Sequence, residues 1–190
     1  MKKDLLLSKK KIKRLIITQQ DVFAAGSFAH QLLKHKYYDP NYFENIEEFS
    51  NSDGYYNMEA LTIALIVSYS RPFMENKGWE TAIPSLPKKC LQFYDKSEKD
   101  LHYQILERRN KAVGHSDADL YSTHLTKSED SKYVFPAIMC TPVIFYTETE
   151  LRKIQAMVDK IIKYLEDAIN SLIKHHGEDF YKYLVEKVED

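Results

Sequence analysis

The apolar positions of the chain fall into four stretches with helical spacing. In residues 15–36, Val22, Ala25, Ala29 and Leu32 recur every three or four positions with no proline between them, as on one face of a helix. Ala24, Gly26 and Ser27 keep that stretch narrow, so a neighbouring helix is expected to approach closely. Residues 57–69 (NMEALTIALIVSY) follow an N-cap candidate and are apolar on nearly every side, as the central helix of a bundle would be. Pro72 is expected to stop or kink this helix and to bias Arg71 away from helical geometry. Ser97-x-x-Asp100 resembles a capping box with Asp in place of Glu, and predicts a helix running to about Val113 with Gly114 as its cap. Thr147-x-x-Glu150 is a better capping box, opening a helix to about His176. Its Leu151, Ile154, Val158, Ile161, Leu165, Ala168 and Leu172 form an unbroken seam, which calls for one long partner helix in the bundle or across a dimer. Gly177 is expected to end it, with a short helix over 179–188.

The segments between read differently. Residues 37–56, with Asp39-Pro40 and Ser52-Asp53-Gly54, suggest a loop or short helical turn, and 75–94, with Pro84 and Pro87, an irregular connection. Residues 116–132 are polar and read as loop. Residues 133–146 (YVFPAIMCTPVIFY) are β-branched and aromatic but split by Pro136 and Pro142, so short extended pieces covering the bundle are expected. The expected fold is all-α: a bundle of four to five helices with a short extended or β segment around 133–146. It forms a single domain over 1–190, with a basic stretch at 1–14 free to fray.

Composition narrows this further. A chain of 190 residues with 44% hydrophobic content suits one core. Five glycines and six prolines are about half the usual share, which disfavours β-sandwiches, barrels and glycine-rich phosphate cradles. A net charge of −1 excludes a protein that coats nucleic acid by bulk charge. The charge is unevenly placed: residues 1–36 hold nine basic and two acidic side chains (+7), and residues 37–60 hold six acidic and none basic (−6). The basic start could touch phosphates, although a solvated helix face is the simpler explanation. Cys90 and Cys140 stand fifty residues apart, without metal-ligand spacing, and read as buried free thiols. No apolar run approaches a membrane span or a signal-peptide core, so a cytoplasmic location and no membrane partner are expected.

The stretch richest in chemistry is 101–117, LHYQILERRNKAVGHSD. Leu101, Ile105, Arg109 and Val113 fall four apart, which puts an arginine in an apolar stripe. A guanidinium there must be paired or must face a crevice, since leaving it unsatisfied costs several kcal/mol. A salt bridge to a carboxylate of the acidic second segment would satisfy it structurally. His115 follows six residues on, roughly 9 Å along a continued helix, near a helix C-terminus whose dipole favours the imidazolium. A titrating histidine beside an always-charged arginine and the polar Asn110 suits phosphodiester chemistry: the imidazole moves a proton and the guanidinium stabilises the phosphorane. Taken alone, His115 is a surface loop residue.

Arg109-Asn110-Lys111-Ala112-Val113-Gly114-His115-Ser116-Asp117 resembles the signature of the HEPN superfamily, in which an Arg and then a polar residue precede a His with four to six residues between. The interval here is five. The form R-N-K-x-x-small-H-S-D is similar to that of abortive-infection and related bacterial HEPN proteins. The resemblance implies a helical bundle and a metal-independent endoribonuclease of the toxin or phage-defence kind, or else a catalytically silent relative that serves as a binding or dimerisation module for RNA or a protein partner. It makes Arg109 and His115 the catalytic pair, with Asn110 orienting them. The RNA 2′-hydroxyl would attack the adjacent phosphate, so no metal or cofactor is needed.

In-line cleavage is helped by a base on one side of phosphorus and an acid on the other, while the motif supplies one histidine per chain. That points to a homodimer with a composite site, and a protein antitoxin or regulator is a further expected partner. Arg108 and Lys111 flank the motif and are secondary candidates for holding substrate phosphates, as is Arg71; each also reads as an ordinary solvated or capping side chain. His175-His176 and the His30/His35 pair lack ligand spacing on a helix, so no metal site is expected.

Overall fold

The computed structural model describes residues 2–39, 53–74, 76–77, 82–83, 85–113, 122–127, 134–140 and 145–176. Among them are four α-helices: α1 (Lys2–Lys34), α2 (Asp53–Ser70), α3 (Lys96–Arg108) and α4 (Glu148–His176). The architecture is an all-α bundle. α1 packs against α2 and α4, and α3 against the same two, so the four close around one core. Val22, Ala25, Ala29 and Leu32 of α1 are buried with Leu151, Ile154, Val158, Ile161 and Leu165 of α4. The long seam of α4 therefore finds its partner within the chain. The small residues of α1 make this possible: a Cβ added to Gly26 would stand 3.0 Å from Cγ1 of Val158.

Helix boundaries follow local chemistry, and several differ from the expected ones. α1 begins at Lys2, ahead of the apolar periodicity, because lysines and leucines are good helix formers and Ile12 and Leu15 already face the core. It ends in a Schellman turn, with Lys36 left-handed (φ 56°) and the Tyr37 N–H donated to the Leu32 carbonyl at 3.0 Å. α2 starts at Asp53, inside the Ser52-Asp53-Gly54 stretch expected to be loop; the Asp53 carboxylate suits the positive end of the helix. Beyond Ser70 the chain tightens into a 3₁₀ turn, Arg71–Phe73, instead of becoming extended at Arg71. Proline at the start of a helical turn forfeits no hydrogen bond.

α3 is capped two residues earlier than Ser97 and Asp100 suggest. Asp95 Oδ1 accepts the Glu98 N–H at 2.8 Å, and Glu98 Oε2 accepts the Asp95 N–H at 2.8 Å; the Ser97 hydroxyl only supports Asp95. Glutamate at the third position has the reach to close the box, which Asp100 lacks. α4 opens as expected: Thr147 Oγ1 accepts the Glu150 N–H at 3.2 Å, and Glu150 Oε2 accepts the Thr147 N–H at 2.7 Å.

The connection over 75–94 holds a two-residue antiparallel ladder, β1 (Asn76–Lys77) with β2 (Ala82–Ile83), and a 3₁₀ helix, Lys88–Phe93. Part of the stretch read as loop over 116–132 is strand: β3 (Ser122–Lys127) pairs antiparallel with β4 (Val134–Cys140), with a register shift between Ser122 and His124. β4 falls where the extended segment was expected, and its Pro136 is tolerable because each strand of a two-stranded ribbon keeps an open edge. The expected caps at Gly114 and Gly177 and the helix over 179–188 lie outside the described residues. Among those described, no helix is long and apolar enough to cross a membrane.

Candidate active site

α3 carries the candidate site at its C-terminal end. Leu101 and Ile105 are buried and fix which face of the helix meets the core. Arg109, one turn later on the same stripe, is half-buried where α3 passes into a π turn, Arg109–Val113. A π turn accommodates about one extra residue per turn, a distortion frequent at functional positions in helices. α2 packs against this turn. The Arg109 guanidinium donates through Nη1 to Oδ1 of Asn110 at 3.2 Å, and among the described residues no carboxylate pairs with it. Arg109 and Asn110 are thus in side-chain contact. His115 lies outside the described residues, as do Gly114, Ser116 and Asp117.

The flanking cations are engaged locally. Arg108 donates to the Phe145 carbonyl at 3.3 Å and sets its guanidinium 4.7 Å from the Tyr146 ring centroid, tying the end of α3 to the residues that precede α4. Lys111 pairs with Glu107 at 2.6 Å across one helical turn. Arg71 reaches Asp21 of α1 at 3.2 Å. It stands two residues beyond Tyr69, which contacts His102, whereas Arg109 lies seven residues past His102, about 10 Å along α3. The structure brings together Arg108, Arg109, Asn110 and Lys111 on one end of α3 and leaves Arg71 apart.

What sequence reasoning missed is the polar anchoring of α3. Tyr94 donates to the Met157 carbonyl of α4 at 3.2 Å, Tyr69 and Tyr94 hydroxyls lie 3.2 Å apart, and Tyr69 Oη is 3.0 Å from His102 Nδ1. With the single Tyr94 proton on Met157, Tyr69 must donate to Tyr94, and His102 must carry its proton on Nδ1 and donate to Tyr69. The chain of donors runs one way from α3 to α4. Burial lowers His102 to about 4, so the ring is neutral at pH 7, and at 2% exposure no polymeric substrate reaches it. Burial likewise raises the Tyr69 and Tyr94 phenols. Beside this chain the Lys160 ammonium donates to both oxygens of the buried Glu98 carboxylate, to Oε1 at 2.5 Å and to Oε2 at 2.7 Å. The only sequence signal was position: Glu98, His102 and Ile105 share the inward side of α3 with Leu101.

No group of three or more metal-ligating side chains forms among the described residues. Cys90 is a buried free thiol, pushed up to about 11 by desolvation, which makes it a poor nucleophile. Compared with protein-family models, curated proteins and solved structures, the chain matches none.

Proposed function

We propose that the chain is a metal-independent endoribonuclease of the HEPN type, with RNA as substrate and its site at the C-terminal end of α3. The observation that carries this reading is the state of Arg109: a cation in the apolar stripe, held by Asn110 and not neutralised by a described carboxylate. The 2′-hydroxyl of RNA attacks the adjacent phosphorus, the 5′-oxygen leaves, and a 2′,3′-cyclic phosphate and a 5′-hydroxyl result. His115 carries the proton removed from the 2′-oxygen or returned to the 5′-oxygen. Arg109 offsets the charge of the phosphorane, and Asn110 sets the plane of the guanidinium. A homodimer would supply one His115 to each side of phosphorus. Reduced Cys90 and an RNA substrate fit a cytoplasmic protein, and a protein antitoxin or regulator would restrain it.

A second reading has an observation of its own. Arg108 and Lys111 are already engaged within the chain, which leaves few cations for a polyanion and suits a non-catalytic binding module. Incubation of RNA with purified protein in EDTA separates the two. The enzyme reading expects cyclic-phosphate products that Arg109→Ala and His115→Ala both abolish; products that need a divalent metal, or that survive both substitutions, speak against it.

A further inference from the structure

The basic run that opens α1 meets a basic stretch from the far end of the sequence. Gly26 lies against Val158, and Tyr38 faces Glu148, so α1 and α4 are antiparallel. At a rise of about 1.5 Å per residue, Lys10 and Lys174 share a level about 24 Å from the Gly26–Val158 contact, and Arg14 is level with Asn170. Of the four helices only these two continue so far. Arg71, at the end of α2, meets Asp21, and Glu98, in the first turn of α3, meets Lys160. Beyond those contacts α1 and α4 run on as a two-helix arm.

The arm is unbalanced in charge. Over residues 8–16 α1 carries Lys9, Lys10, Lys11, Lys13 and Arg14; over 168–176 α4 carries Lys174, His175 and His176; neither stretch has an acidic residue. The nearest carboxylates on these helices are Asp4 at the tip and Glu166 and Asp167 at the root. Residues 177–190 add five acidic and two basic side chains, and with them the stretches 1–16 and 168–190 still hold ten basic against six acidic. Lys11, Lys174 and His175 are exposed, and among the described residues Lys11, Arg14 and Lys174 form no ion pair. Arg14 is partly buried, and its Nη1 has no acceptor among the described residues. Desolvation alone lowers its guanidinium, with no carboxylate to hold it up.

We propose that this arm is a contact for the phosphate backbone of RNA, remote from the cleavage site and indifferent to sequence. α3 runs antiparallel to α4, from Glu98 beside Lys160 to Arg108 beside Tyr146. Arg109 therefore stands at the opposite end of the bundle, roughly 40 Å from Lys10 and Lys174. At that end Arg108 and Lys111 are engaged within the chain, which leaves little charge to hold a polyanion. Phosphate contacts supply essentially all sequence-independent affinity for nucleic acid, and the arm gathers the cations for them. A lipid surface fits less well. The cations of residues 9–14 are spread all round the helix at about 100° per residue, whereas a helix lying on a bilayer keeps an apolar face free. Ile12 and Leu15 at these levels are buried, and the exposed Ile16 and Ile17 stand back at the root. With one phosphate per about 3.4 Å of duplex strand, roughly a dozen nucleotides reach from arm to site. The choice of RNA as the polyanion rests on the ribonuclease reading; the surface itself uses neither Arg109 nor His115.

The test is binding of the full chain to a single-stranded RNA of about 24 nucleotides, twice that span, with 2′-O-methyl riboses that the proposed chemistry cannot cut. The wild type is expected to bind in the micromolar range at about 0.1 M salt, with a slope near −4 in log K against log salt for about six phosphate contacts. Lys11→Glu with Lys174→Glu should weaken binding by about 30-fold or more and flatten the slope by about 1.4. Lys88→Glu with Lys89→Glu, an equal change of charge at exposed residues elsewhere, should weaken it by less than about threefold. Melting curves of both double variants should match the wild type. Arg109→Ala should bind within about threefold of wild type, so that failure of the cleavage reading and failure of this surface are read separately. No binding by the wild type, equal weakening by the two pairs of reversals, or binding to phosphatidylserine vesicles with none to the RNA would each overturn the proposal.

Discussion

Along the α1–α4 seam the buried side chains of α4 are Leu151, Ile154, Met157, Val158, Ile161 and Leu165, without a polar group among them. At the junction where α3 meets α2 and α4, the buried groups include Tyr69, Tyr94, His102 and Glu98, linked by hydrogen bonds and one clasped lysine. The seam is held by volume, so its strength should respond to methylene groups and ignore pH. The junction is held by a chain of donors with a fixed direction, so its strength should depend on protonation. Because α3 carries Arg109, the polar junction also sets where the candidate site points.

The largest effect is expected in the seam. Ile161→Ala removes three fully buried carbons between α1 and α4 and should cost about 4 kcal/mol in denaturant unfolding, by the same amount at pH 5 and pH 7. At the junction, Lys160→Met leaves the Glu98 carboxylate buried without its cation and should cost about 3 kcal/mol; adding Glu98→Gln should recover most of it, because Gln still closes the α3 capping box. Failure of that rescue would mean the carboxylate is not confined as the geometry indicates.

The pH response separates the regions more sharply. His102 is near 4 when folded and about 6.5 when unfolded, so between these values the unfolded chain binds a proton that the folded chain refuses. Stability from this group is therefore complete above pH 7 and falls with acidification, by about 2.5 kcal/mol at pH 4.5. His102→Gln should be less stable at pH 7 and lose that part of the slope. A wild-type slope unchanged in the variant would contradict a buried neutral imidazole. The smallest effect belongs to Ser70, whose hydroxyl is buried without a partner among the described residues; Ser70→Ala should leave stability within about 0.5 kcal/mol or raise it slightly.

The same contrast explains what the sequence made legible. Val22, Ala25, Ala29, Leu32 and the α4 seam were readable because burial of aliphatic groups imposes a three- and four-residue rhythm that needs no partner to be recognised. The Thr147–Glu150 box was readable because both halves are local. The Asp95–Glu98 box was equally local, but a second candidate two residues later obscured it. The Tyr94–Tyr69–His102 chain draws on three elements up to 33 residues apart, and no periodicity announces such a meeting. At the site, Arg109 was visible as a cation misplaced in an apolar stripe, and its contact with Asn110 follows from adjacency. The engagement of Arg108 with Phe145 and Tyr146 was not visible, because it depends on how α3 and α4 dock.

The central claim is that Arg109 and His115 cleave RNA using the ribose hydroxyl as nucleophile. Its most direct test is the end-group chemistry of RNA cut by the wild-type chain in EDTA, beside Arg109→Ala and His115→Ala proteins with unchanged melting curves. The account predicts 2′,3′-cyclic phosphate and 5′-hydroxyl ends from the wild type and a loss of about a hundredfold or more in rate from either variant. Ends bearing 5′-phosphate, or full activity in both variants, would contradict it.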